Sequence, residues 1–169
     1  KHLVQNDSDF SFRLKEDSVC FVHLIYPDNW QSLSQKEKTH LSFDIAVRLG
    51  QYFGYTAGTW HEILTWFGYK STGVFPEFPS AFSWEDIFSN LLGSDISAEG
   101  LRNSELSYDE AVTNILNTKL EELDIQSAET ARYVTEKMRG KWFSGEIPPF
   151  VNMKGRNFDI GLGDGFVTP

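Results

Sequence analysis

The sequence predicts an α+β domain, predominantly α-helical, with about five helices and two or three short strands. Three observations carry this. Serine N-cap signals recur at Ser34, Ser83, Ser107 and Ser127, each opening a stretch with apolar residues at helical spacing. A short β-rich run from Ser18 to Tyr26 ends at Pro27-Asp28-Asn29. Hydrophobic residues fill 40% of the 169 positions and aromatics 15%, enough apolar surface for a dense core without disulfide staples.

Taken in order, residues 1–17 are polar and mixed in charge, and are expected to be a mobile N-terminal arm; a single mostly helical domain is expected over 18–169. Ser18 to Tyr26 reads as a buried strand. Ser34 and Glu37 form a capping box, whose hydroxyl and carboxylate satisfy each other's backbone donors. The helix it opens should reach Phe53 and stop at Gly54. A second helix fits Thr56 to Phe67, closed by Gly68 in a left-handed conformation. Gly73 to Ala81, with two prolines and two aromatics, is an ordered loop. Ser83, with Asp86 three residues on, starts a third helix ending at Gly93. Ser107 with Glu110 starts a fourth, to Leu123, and Ser127 a fifth, to Trp142. Pro148-Pro149 forbids helix, and Asn157 to Val167 alternates glycine with apolar residues as a strand or hairpin does.

Composition excludes several function classes. The 24 acids outnumber the 15 Lys and Arg, for a net charge of -9, which repels nucleic acid. The densest basic stretch, Arg132 to Lys141, is interrupted by Glu129 and Glu136 at its edge and centre, and reads as a solvated helix face. No nucleic-acid partner is expected. Cys20 is the sole cysteine, so neither an internal disulfide nor a cysteine-based metal cluster can form. No apolar run approaches the roughly 20 residues of a membrane span, so no span is expected.

Chemistry is sought on the polar faces of helices that are otherwise apolar. In Ser34 to Phe53, Leu41, Ile45 and Leu49 line one side while Phe43 and Val47 lie almost opposite. Such a helix is expected to be buried, leaving a polar stripe through His40, Asp44, Arg48 and Gln51. Asp44 and Arg48 have two readings, as part of an internal cleft or as a plain i, i+4 pair on an exposed edge. In Thr56 to Phe67, Trp60, Ile63, Leu64 and Phe67 form a regular apolar face, and tryptophans on opposing sides predict that this helix too is wrapped by protein. His61 borders that face and Glu62 lies opposite, beside Trp66. A carboxyl desolvated by an indole has a raised pKa and can act as a general acid. The plainer alternative pairs Glu62 with Arg48 or a lysine. On the third helix Ser89 and Asn90 gather beside Asp86, short polar groups that are mediocre helix formers. The candidate site set is therefore Glu62, His61, Asp44, Ser89 and Asn90.

Other signatures are weak. His61-Glu62 begins an H-E-x-x-H pattern, but the second histidine position holds Thr65. A metal site using His40, His61 and an acid stays open, and no cofactor is assigned. Cys20 has no base beside it on its strand face, and no G-x-S-x-G elbow occurs. Gly161-x-Gly163-x-Gly165 precedes no helix, so it is not a dinucleotide fingerprint.

Three strings, Trp60-His61-Glu62-Ile63 with Thr65-Trp66-x-Gly68, Phe82-Ser83-x-Glu85-Asp86-x-x-Ser89-Asn90-x-x-Gly93, and Phe158-Asp159-Ile160-Gly161 with Asp164-Gly165 and Thr168-Pro169, resemble a bacterial family catalogued as a domain of unknown function. The resemblance spans about Tyr26 to the end. It implies a piece of a longer, exported or lipid-anchored protein, located in the periplasm or at the cell envelope, and it brings no activity with it. The reading is a binding or structural domain for an unknown small molecule or envelope component. The alternative is a hydrolase with a carboxylate/histidine site between buried helices.

Overall fold

In a computed structural model, the chain is described over residues 2–70, 73–145, 151–158, 162–163 and 166–167. It is α+β and predominantly helical, and it divides into two compact units, Lys1–Leu49 and Gly50–Pro169. Pro148 and Pro149 lie outside the described residues.

The first unit begins with a helical turn, α1 (His2–Gln5), and an antiparallel hairpin of β1 (Asp9–Lys15) and β2 (Ser18–His23). Strand β1 thus falls inside the segment assigned to the arm. Its alternation of Phe10 and Phe12 with Ser11 and Arg13 has the period of a strand. The strand expected to be buried is largely open instead: Val19 and Phe21 on β2 are exposed, while Cys20 and Val22 on the other face are partly covered. Two-residue periodicity can bury only one face when a ribbon has one layer against it. Trp30 anchors this unit. It is buried, its indole N–H donates to Asn6 Oδ1, and its ring lies 5.1 Å from that of Tyr26. The Tyr26 hydroxyl in turn donates to the Asp7 carbonyl at 2.9 Å.

The largest departure from expectation is α2, a single 32-residue helix over Gln35–Trp66 where two helices were predicted. The capping box at its start is present: Ser34 N donates to Glu37 Oε2 at 2.8 Å, and Glu37 N to Ser34 Oγ at 3.3 Å. Gly54 does not stop it. An interior glycine costs about 1 kcal/mol, and breaking the helix there would forfeit burial of the adjacent Tyr55. The true stop is Gly68, at φ 91°, where Gly68 N bonds Thr65 O at 3.0 Å and Tyr69 N bonds Leu64 O at 2.9 Å. That pair of bonds is the Schellman arrangement.

Within the second unit α2 is covered along one side only, where it was expected to be wrapped by protein. Its buried positions are Tyr55, Thr59, Glu62 and Thr65, whereas Trp60, Leu64 and Phe67 are exposed. Ile63 and Trp66 flank the core formed by Ala81, Phe82 and Ile87. The first-unit part of α2 is not buried all round either, since Leu41, Phe43 and Leu49 are exposed.

Helix α3 (Trp84–Arg102) is capped by Ser83, whose Oγ accepts from Asp86 N at 3.3 Å. It runs past the predicted end at Gly93, because Ile96 and Ala98 beyond that glycine are buried. Helix α4 (Tyr108–Glu122) keeps its Ser107–Glu110 capping box and packs on α3. Gly100 permits this contact: a Cβ there would stand 2.7 Å from Val112 Cγ2. Helix α5 (Ala128–Met138), capped by Ser127, ends four residues before Trp142. Two short pairs complete the chain, β3 (Phe143–Ser144) with β4 (Asn152–Met153) and β5 (Leu162–Gly163) with β6 (Phe166–Val167). The second is the predicted glycine-rich hairpin; Gly161 and Gly165 lie outside the described residues.

Candidate functional site

The C-terminal turns of α2, the loop before α3 and the first turns of α3 enclose a pocket of about 410 Å³. Its walls include His61, Glu62 and Thr65 from α2, Glu77 from the loop, and Asp86 and Asn90 from α3. Helical spacing explains the grouping. Glu62 and Thr65 are one turn apart on the inward side of α2, and Asp86 and Asn90 are i, i+4 on α3.

Glu62 is the central group. Only 5% exposed, it accepts the backbone N–H of Phe82 on Oε2 at 2.6 Å. Burial raises its carboxyl above the ordinary value, and the nearby charges of Asp86 and Glu77 push the same way; the Phe82 N–H and the His61 ring oppose them. Beside it, His61 Nε2 stands 3.5 Å from Glu77 Oε2. The pocket thus joins a carboxyl of raised pKa to an imidazole–carboxylate pair, groups of the kind that donate and accept protons.

The loop opposite α2 is held from two sides. Phe82 sits at φ 57°, a conformation that costs a residue with a side chain roughly 1–2 kcal/mol. Against this, its ring is buried in the core and both of its backbone polar groups are paired, the carbonyl accepting from Asn157 N at 2.8 Å. Arg156 reaches back to the same loop. Its guanidinium donates to the carbonyls of Ala81 and Pro79 and lies 5.0 Å from the ring centres of both Trp66 and Phe78. The end of this loop, Ala81 and Phe82, is buried, whereas Val74, Phe75 and Phe78 are exposed. On the α3 wall, the Asn90 amide occupies space that a Cβ on Gly58 would enter, at 3.0 Å.

Of the predicted site residues, Glu62, His61 and Asn90 line this pocket. Ser89 is not among its walls; it is exposed and donates to the Asp86 carbonyl at 3.1 Å. Asp44 belongs to the first unit and accepts from Arg48 Nε at 2.8 Å, the i, i+4 pair that was the plainer reading. Because α2 is one helix, Asp44 and Glu62 do not stand on two facing helices. Glu62 itself bonds a backbone amide rather than a cation. Among the described residues no group of three or more His, Cys, Asp or Glu side chains is arranged to hold a metal ion, and no helix is long and apolar enough to cross a membrane. Sequence reasoning missed Glu77, Asp86 as a wall residue, and Arg156. A charged residue inside Phe-Pro-Glu-Phe-Pro was the available signal for Glu77; Arg156 had none.

A family described as a protein of unknown function, DUF4056, matches residues 13–162, and the chain belongs to it. No curated protein and no solved structure matches the chain.

Proposed function

We propose that the second unit is a binding domain whose pocket takes a small polar ligand, with Glu62 as the group that exchanges a proton or hydrogen bond with it. The observation that carries this reading is a buried carboxyl of raised pKa on a pocket wall, fixed through one oxygen by Phe82 N–H. Buried carboxyls are costly, and pockets with perturbed titratable groups are where ligands are held. The test is a screen of small polar compounds by thermal shift, followed by carbon NMR of the Glu62 carboxyl. Binders should move the Glu62 signal and bind at least tenfold more weakly to Glu62→Gln. Binders that leave that signal unmoved would remove the reading.

A second reading, hydrolysis, is supported by the His61–Glu77 pair beside Glu62. In it Glu62 is the general acid and His61, oriented by Glu77, activates water. Turnover of chromogenic esters, amides or glycosides that is lost in both Glu62→Gln and His61→Ala would support it.

Placement at a bacterial envelope, as part of a longer exported or lipid-anchored protein, rests on the likeness of the Trp60–Gly68 and Phe82–Gly93 strings. Fractionation of cells expressing the full-length gene product tests it. Recovery in the cytosol alone would sink it.

A further inference from the structure

The outward face of α2 in the second unit carries Phe53, Ala57, Trp60, Leu64 and Phe67, at spacings of four, three, four and three. This is the seam of a helix that packs lengthwise on another helix. Phe67 lies one residue past the helix end but still bonds Ile63 O from its amide at 3.2 Å, so it continues the seam. The face is open: Phe53 is 52% exposed, Trp60 57%, Leu64 47% and Phe67 83%. The buried side of the same turns holds Thr59, Glu62 and Thr65. A helix with its hydroxyls inward and its rings in water inverts the order that water imposes.

We propose that this face is a self-association surface, on which a second copy of the chain docks the same stripe of its own α2, centred on Trp60. Two arguments select a second copy. The first is charge. Each copy carries -9, so two copies repel unless their contact is free of charge. From Gly50 to Trp60 there is no charged residue, and Gly50 and Gly54 beside the stripe meet nothing within 4 Å, leaving room for close approach of a like helix. The second is area. At about 150–250 Å² per aromatic side chain, the open parts of these residues and Tyr52 amount to roughly 500 Å² per copy. Two copies bury on the order of 1,000 Å², where specific interfaces begin. The dimer is accordingly weak and reversible. Residue 60, at the middle of the stripe, faces its own counterpart across the two-fold axis whichever way the helices run.

The test is sedimentation velocity of the 169-residue chain over a concentration series. The wild type should shift from monomer to dimer with a Kd in the micromolar range, about 1–100 μM. Trp60→Glu and Trp60→Lys should each weaken this at least tenfold, and an equimolar mixture of the two should regain it at low salt. Their far-UV circular dichroism and thermal transitions should match the wild type, because the substituted side chain is exposed. If either variant unfolds, the Phe67→Glu and Phe67→Lys variants serve for the weakening arm. A wild type that stays monomeric throughout, a dimer unaffected by both charged variants, or monomers that instead bind neutral lipid vesicles through this face would each overturn the proposal.

Discussion

The Glu62 carboxylate and the Phe82 amide form a 2.6 Å bond across 20 residues of sequence, and Phe82 makes it while holding a left-handed backbone. Burial leaves the amide no water to fall back on, so the carboxyl is both pocket wall and clamp. Glu62→Ala should cost about 1–3 kcal/mol for the orphaned donor, and Glu62→Gln less, since its amide oxygen can still accept. The two variants separate the hydrogen bond from the charge. Because the folded pKa of Glu62 is raised, its proton is held more tightly in the native state than in the unfolded one. Its contribution is complete below the ordinary carboxyl value and is lost as pH rises through the folded value. Urea unfolding from pH 4 to 8 should therefore show wild-type stability falling relative to Glu62→Gln as pH rises.

Phe82 offers a way to separate strain from packing. Phe82→Ala loses the ring and keeps the backbone penalty, at a cost of roughly 3–5 kcal/mol. Phe82→Gly loses the same ring but relieves the left-handed conformation, so it should be the more stable of the two by about 1 kcal/mol. Elsewhere in a protein glycine is the more destabilising replacement. Denaturant midpoints of the two variants, taken side by side, check the reversal.

A paired glycine experiment tests the α3 wall. Gly93 lies inside α3 with nothing within 4 Å of an added Cβ, and its backbone is not left-handed. Gly93→Ala should stabilise by about 0.5–1 kcal/mol through helix propensity. Gly58→Ala brings the same propensity gain but drives a Cβ to 3.0 Å from the Asn90 amide. It should stabilise less or destabilise, and Asn90 side-chain NMR signals should move in this variant alone.

The reach and the failure of sequence reading are visible in one repeated tripeptide. Phe53-Gly54-Tyr55 and Phe67-Gly68-Tyr69 are identical, yet the helix passes through the first and stops at the second. Tyr55 is buried and Tyr69 exposed, so tertiary burial decides the matter, and no local propensity carries that information. Gly93 repeats the lesson, since Ile96 and Ala98 pull α3 onward. Capping is different. Ser34, Ser83, Ser107 and Ser127 were legible because each makes its bonds within three residues. The site was half legible for the same reason. His61, Glu62 and Asn90 sit on predicted helices, but which face turned inward depended on partners distant in sequence. Glu62 was read as desolvated and is buried, but the apolar face through Trp60 and Leu64, read as covered too, is open.

Arg156 is the most distant of those partners, and its removal is the sharpest test of how the pocket is held. Its guanidinium donates to the Ala81 and Pro79 carbonyls and lies against Trp66 and Phe78, so it fixes the loop that presents Phe82 N–H to Glu62. Lysine keeps the charge but loses the planar fork that serves two carbonyls and stacks on rings. Arg156→Lys should therefore behave nearly as Arg156→Ala, each losing about 1–2 kcal/mol, with partial exposure reducing the larger value expected of a buried cation. Hydrogen exchange distinguishes a loop effect from general destabilisation. The Phe82 amide should lose protection beyond the fall in global stability, while amides at the Ala111 level of α4 should track that fall alone. Were Phe82 to remain as protected as the α4 core, Arg156 would be a surface staple and Glu62 alone would hold the loop.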